Sequence, residues 1–210
     1  MLEQAALDEL WVFDDPALSE ARFRVELEQA GPWDDADRAE LTTQLARAIG
    51  LQARFDEAAA LLIGLEEPAP VVGVRVLLES GRLMNSSGHP DTAVGLLRQA
   101  ATIAGRSGLL FLRLDALHML AIADPTRAED WTAQAADLAE ASPDPRIRRW
   151  LVSLHSNLGW YRLEASDPSA ALESFTEASR WADLVGTDEQ RTWAAEAIAE
   201  CTAALESAQE

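Results

Sequence analysis

The stretch LARAIGLQARFDEAAALL, residues 45–62, decides the fold. Leu45, Ala48, Ile49 and Gln52, with Leu41 just upstream, follow the i, i+3, i+4 spacing of one helical face. Ala58 then sits one turn into a second helix. A small residue at that depth recurs along the chain: Ala21, Ala58, Ala93, Ala128 and Ala171 lie 37, 35, 35 and 43 residues apart. A period near 35 predicts helical hairpins stacked in an array, because one hairpin cannot bury its apolar face alone and stacked hairpins can.

The rest of the chain reads the same way. Alanine, leucine, glutamate and arginine dominate, and Leu151, Leu154, Leu158 and Tyr161 make another helical stripe. Val71–Val76 has strand composition, but it runs into Leu77, Leu78 and Gly81 at helical spacing. The spacing predicts helices over 2–12, 16–30, 34–52, 55–66, 71–87, 90–106, 109–123, 126–141, 145–165, 168–185 and 188–208. Asp15-Pro16, Asp124-Pro125, Asp144-Pro145 and Asp167-Pro168 each pair an N-cap carboxylate with proline in the first turn, and His89-Pro90 occupies the equivalent place. Gly31, Gly64, Gly108 and Gly186 fall where helices end and left-handed geometry suits glycine. The expected organisation is a single all-α array over 1–210. An opening hairpin (1–33) leads to repeats at 34–66, 70–107, 109–141 and 145–185, and 188–208 forms a closing helix. The loop Ser142-Pro143-Asp144-Pro145 absorbs part of the longest interval.

Composition bounds the partners. The chain has 210 residues, 48% hydrophobic and 25% charged, with a net charge of −19. That charge argues against nucleic acid and anionic membranes, whose phosphates it would repel, and weakly favours basic partners. Solvation of the outer helix faces is the plainer explanation of the same acidity. All 17 basic residues are arginine, as coding bias in a GC-rich genome would produce. Residues 1–40 hold 12 of the acids against Arg22, Arg24 and Arg38, which makes the N-terminal surface densely acidic. Met1–Ala5 lacks the basic start of a secretion signal, and no apolar run approaches the roughly 20 residues that span a bilayer, so the expected location is cytoplasmic. Cys201, the single cysteine, excludes an intrachain disulfide and a cysteine zinc site within one chain.

At its landmarks the chain resembles the tetratricopeptide repeat (TPR) family, in its bacterial form. Leu45-Ala46, Ala53, Phe55, Ala58 and Leu62 match one repeat. Gly81, Gly88, Ala93, Leu97 and Ala100 match the next, and Leu158-Gly159, Ala171, Phe175 and Ala178 match the last. The repeat around Leu120-Ala121 and Ala128–Ala135 departs most, since its landmarks are closer together. The resemblance implies a right-handed α-solenoid of hairpins whose first helices line a concave groove that holds peptides. Residues opposite the core stripe would then face the groove: Thr43 and Arg47; Arg75, Glu79, Arg82 and Ser86; Asp115, His118 and Ile122; Ser153, Asn157, Trp160 and Glu164. Of these, Thr43, Arg47, Arg75, Arg82, His118, Asn157 and Trp160 are the candidate partner-binding residues. The carboxylate clamp of the chaperone-binding members does not carry over, because Thr43, Arg47, Glu79, Asp115 and Met119 stand where that clamp needs other residues.

Arg47, Arg75 and Arg82 invite an acidic segment or a C-terminal carboxylate, which arginine binds bidentately; pairing with Glu79 or neighbouring acids is the plainer alternative. Trp160 is either a groove aromatic or a contact for the closing helix, and the closing-helix contact is preferred. Trp131, Trp150, Trp181 and Trp193 are expected to fill gaps between helices. His89, His118 and His155 lack paired-ligand spacing, and no phosphate-binding loop, dinucleotide fingerprint or nucleophile elbow occurs. Asp34-Asp35 and Glu66-Glu67 sit at helix ends, where the macrodipole or solvation explains them. Cys201 falls on the stripe Trp193, Ala197, Ile198, Cys201 and Leu205 and reads as a packed thiol. Arg146, Arg148 and Arg149 open a helix, and pairing with Asp144 is preferred over a phosphate or partner contact. The expectation is a non-catalytic protein- or peptide-binding scaffold with no cofactor and no metal. The alternatives are a sensor of a small peptide or metabolite, and an enzyme or enzyme subunit with an unrecognised site. Oligomeric state stays open.

Overall fold

The computed structural model describes residues 2, 4–29, 33–65 and 69–207. Gly31, the Glu66-Glu67 pair and the last predicted helical residue, 208, lie outside them. The described residues are all-α, with no strand among them. They form two compact units, Met1–Ala116 and Leu117–Glu210.

The first unit holds α1 (Gln4–Leu10), α2 (Pro16–Glu28), α3 (Asp35–Gly50), α4 (Phe55–Ile63), α5 (Pro70–Ser86) and α6 (Pro90–Arg106). The unit boundary falls within α7 (Leu110–Ala123). The second unit continues with a 3-10 turn (Pro125–Arg127), α8 (Ala128–Glu140), α9 (Pro145–Arg148), α10 (Trp150–Glu164), α11 (Pro168–Val185) and α12 (Asp188–Ser207). Val71–Val76 lies inside α5, as the spacing of Leu77, Leu78 and Gly81 requires. The helix expected over 145–165 is divided at Arg149, which nevertheless keeps right-handed helical angles (φ −61, ψ −24). Neighbours in sequence pack together: α2 with α3, α3 with α4, α5 with α6, α10 with α11, and α11 with α12. Short connections enforce this, since a few residues can only return the chain beside itself.

Caps and turns explain where the helices stop. The carboxylates of Asp15, Asp34, Asp144 and Asp167 accept from the backbone N–H of Leu18, Asp37, Arg146 and Ala170 at 2.8–3.0 Å. Asp124 makes no such cap; it accepts from Trp131 Nε1 (3.1 Å) and Thr126 Oγ1 (2.8 Å) instead. Left-handed residues occur two positions before the next helix: Ala53 (φ 59), Gly88 (φ 85), Gly108 (φ 70) and Ser166 (φ 63). In each case the following N–H donates to the carbonyl five residues back. These bonds run from Arg54 to Ile49, His89 to Met84, Leu109 to Ala104 and Asp167 to Arg162, at 2.8–3.4 Å. That is the Schellman closure, which satisfies carbonyls the ending helix would otherwise orphan. Gly64 (φ −80) and Gly186 (φ −81) do not use left-handed geometry, contrary to the reading of their positions.

Packing follows the small residues. Ala58, Ala93 and Ala171 are fully buried. A Cβ on Gly81 would stand 2.7 Å from Leu97, and one on Gly159 would stand 2.5 Å from the Phe175 ring. α5 with α6 and α10 with α11 therefore meet backbone against side chain, as close helix crossings require. The phase fails in the opening hairpin, where Ala21 is exposed and α2 buries Ser19, Glu20 and Phe23. In α12, Ala194, Ala197 and Cys201 are buried, while Glu196, Glu200 and Glu206 are exposed. Trp193 departs from expectation: it is 61% exposed. Ala194, Ala197 and Cys201 share one face at i, i+3 and i+7, and Trp193 projects from the edge of that face. Trp131 and Trp181 are buried and Trp150 is partly so. No helix among the described residues is long and apolar enough to cross a membrane.

Candidate functional site

In the first unit the three predicted arginines gather on the facing sides of α3 and α5. Two of them keep the internal acidic company that the plainer alternative gave them. Glu40, 1% exposed, accepts from Arg75 Nε at 2.8 Å, and Arg75 Nη2 donates to Gln4 Oε1 at 2.7 Å. Arg82 donates to Glu79 Oε1 at 2.8 Å and to Asp115 through a shorter bond. Arg75 and Arg82 are thus neutralised internally, the plainer alternative for those two. Thr43 is fully buried and donates to the Glu40 carbonyl at 2.7 Å, so it does not face an open groove.

Arg47 is different. Among the described residues its side chain makes no hydrogen bond or ion pair, and its Nε is buried without a partner. Its guanidinium carbon lies 5.2 Å from the Trp11 ring centre and 5.7 Å from that of Phe13. Those two rings stack in parallel, 5.0 Å apart. Trp11 is anchored by its Nε1–H, which donates to Gln44 Oε1 at 3.2 Å. Phe13 is 62% exposed.

Electrostatics sort the cluster. Burial holds the Arg47 guanidinium below its ordinary value, and repulsion from Arg82 adds to that against the attraction of Glu79 and Asp115. Burial acts on Arg82 in the same direction, but Asp115 and Glu79 outweigh it and raise the group overall. Burial raises the Glu40 carboxyl, and Arg75 only partly offsets it.

In the second unit the candidates lie along α10. The Asn157 amide nitrogen is 2.6 Å from His118 Nε2, and the His118 ring tilts against Trp150 with centres 5.4 Å apart. With the amide as donor, His118 is neutral and accepts at Nε2. Asn157 stands on the walls of two cavities. One, of about 440 Å³, is lined by Ile122, Thr132, Trp160, Tyr161 and Glu164 among others. The other, of about 280 Å³, is lined by His118, Ser153, Ser156, Gln190 and Trp193 among others. Trp160 is 37% exposed and meets the edge of Phe175 at 5.0 Å. It lines the first cavity.

Trp11, Phe13, Ser156, Tyr161, Gln190 and Trp193 join these surfaces without having been singled out for them. The first two stand beside the acidic run Asp14-Asp15, where an apolar pair outside a helical stripe was the available signal. Elsewhere the chemistry is sparse. Cys201 is fully buried, its thiol donates to the Pro168 carbonyl at 3.0 Å, and burial raises its pKa. His155 is partly buried, and burial lowers its pKa. Arg146 meets Asp144 through its backbone N–H, and Arg149 Nε donates to the Val185 carbonyl at 3.0 Å. No metal-binding group of three His, Cys, Asp or Glu occurs among the described residues.

An all-α chain with this order of helices has a counterpart of known structure. Its fold is similar to that of BtubC (BKLC) from P. vanneervenii. The crystal structure of that protein aligns with a TM-score of 0.67, covering 92% of this chain and 84% of that one. Identity is 16%, so the likeness is one of fold. No family model matches the chain, and no curated protein matches it in sequence.

Proposed function

We propose that the chain is a right-handed TPR-like α-solenoid closed by α12, and that it is a non-catalytic scaffold holding a segment of a partner protein. The observation that carries this reading is the α10 face. Ser153, Asn157, Trp160 and Glu164 fall at i, i+4, i+7 and i+11, and the two cavities along them share Asn157. An extended segment laid along that face would put one side chain in each cavity, with Trp160 and Trp193 supplying apolar area. Asn157 offers it amide hydrogen bonding between the two. The repeated Schellman junctions and the buried alanines support the hairpin array behind the face.

Display selection with random twelve-residue peptides tests the reading. Enriched peptides should bind the wild type, and Asn157→Ala and Trp160→Ala should each weaken binding at least tenfold. Failure to enrich any peptide would count against the scaffold. The smaller cavity favours a second reading, a sensor of a small polar metabolite, because hydroxyl, amide and imidazole groups converge on about 280 Å³. Native mass spectrometry of protein purified from its own cells distinguishes the two, since a sensor should carry a stoichiometric small molecule.

A further inference from the structure

We propose that the larger cavity beside α10 receives a lysine or arginine side chain of the bound segment, with Glu164 as its counter-ion and Trp160 and Tyr161 as its aromatic walls. The proposal rests on the scaffold reading and specifies one side chain of the partner. Every residue it uses belongs to the second unit.

Within Leu117–Glu210, 17 acids stand against 7 arginines. The arginines nearest in sequence to the cavity walls are committed elsewhere. Arg162 donates through Nε and Nη2 to Glu129, and through Nη1 to the Ala170 carbonyl and Ser174 Oγ. Arg127 donates to Asp130 at 3.2 Å and lies over the Trp131 ring. Glu164 lines the cavity, and its side chain makes no hydrogen bond or ion pair among the described residues. It is also the last residue of α10, where the helix dipole adds partial charge of the same negative sign. Water solvates this exposed carboxylate while the cavity is open. A segment that covers the cavity removes that water, and a cation restores what is lost.

The walls match the rest of such a side chain. Trp160 and Glu164 are four residues apart on one helical face, so the ring and the carboxylate address the same space. The Trp160 ring is held against Phe175 and keeps part of its surface open. An ammonium or guanidinium over the face of Trp or Tyr gains a cation–π attraction. Ile122 and Pro125 also line the cavity and give the methylene stem of a basic side chain an apolar path. An acidic side chain would meet Glu164 and the helix end with like charge. An apolar one would desolvate the carboxylate and return nothing to it. A basic side chain satisfies the apolar and the charged halves of the wall together. Its sign is the reverse of the acidic segment expected from Arg47, Arg75 and Arg82, and it agrees with the net charge of −19.

The test uses the full chain and the peptides that the display selection enriches, which should share one Lys or Arg. Each peptide is synthesised with that residue kept, and with norleucine in place of Lys or citrulline in place of Arg to remove the charge. The neutral form should bind the wild type at least tenfold more weakly, and added salt should weaken the charged form more than the neutral one. Glu164→Gln should bind the two forms within twofold of each other. If the wild type itself binds both forms within twofold, or the enriched peptides share no Lys or Arg, the basic side chain is wrong while the scaffold reading stands. If the tenfold difference persists in Glu164→Gln, the cation docks elsewhere and the assignment to this cavity falls. A stoichiometric small amine carried by the protein in native mass spectrometry would give the cavity to a free metabolite and overturn side-chain docking. If no peptide is enriched, the proposal and the scaffold reading fall together. The comparison of peptide forms on the wild type does not depend on how any variant folds.

Discussion

Gly88 and Ala53 occupy equivalent left-handed positions, and that makes them a matched pair of tests. A Cβ at Gly88 would meet nothing within 4 Å, so Gly88→Ala isolates the backbone cost of φ 85. It should lower stability by about 1 kcal/mol, as left-handed geometry penalises side chains. Ala53 already bears that cost at φ 59, so Ala53→Gly should be neutral or stabilising by up to about 1 kcal/mol. Urea melts of the two variants should move in opposite directions or leave Ala53→Gly unmoved. Charge gives a second residue-scale contrast. Arg75→Met would leave the buried Glu40 carboxylate without its partner and should destabilise by roughly 3–5 kcal/mol. Arg47→Met breaks no ion pair among the described residues and should cost no more than its ring contacts, on the order of 0.5–2 kcal/mol. Equal losses from the two would mean that Arg47 carries a structural load the geometry does not reveal. The gathering of Arg47, Arg75 and Arg82 on one side was what the resemblance to the repeat family implied, since it aligns the first helices of successive hairpins. Which arginine stayed unpaired was not legible, because Gln4, Glu40 and Asp115 reach the cluster from other helices.

Elements were the most legible level, and the reason is local. An Asp-Pro dipeptide both caps a helix and fixes its first dihedral, so it marks a start without tertiary help. Helix ends were less legible: the left-handed residue is alanine at 53 and serine at 166, while Gly64 and Gly186 keep negative φ. Side-chain exposure at the chain ends was least legible, as Ala21 and Trp193 show, because a terminal helix has neighbours on one side only. Two changes test the element packing. Ala93→Leu should destabilise by roughly 1–3 kcal/mol through overpacking, since Ala93 is fully buried and its carbonyl would lie 3.6 Å from a Cβ on Gly81. Deleting 188–210 should expose the cluster of Ala171 and Phe175 that Ala197 and Cys201 cover, and the shortened chain should aggregate. A truncated protein that stays monomeric with an unchanged melt would show that α12 is not a cap.

At the scale of the whole molecule, a net charge of −19 sets the pH dependence, together with two carboxyls that titrate in opposite directions. Glu40 is raised above 4.5 by burial, so the folded chain holds its proton more tightly than the unfolded chain does. Its contribution is fully present below 4.5 and fades as pH climbs through the folded value. Burial also pushes Glu20 upward, but bonds from Gln52, Arg24 and Arg54 outweigh it and the group ends below 4.5. Its contribution is present above 4.5 and is lost as pH falls through the folded value. Self-repulsion among the acids weakens as they protonate. From pH 7 down to about 5, relief of repulsion and of Glu40 act together, so the melting temperature should rise. Below 4.5 the loss of the Glu20 pairs should reverse the trend. Calorimetry across this range at fixed ionic strength checks both limbs. Glu20→Gln should flatten the acid limb alone, and 150 mM salt should shrink the rise between pH 7 and 5 by screening repulsion over roughly 8 Å. A melting temperature that falls steadily from pH 7 to 5 would mean that exposed ion pairs, such as Arg54 with Glu57, outweigh both the repulsion and the buried Glu40.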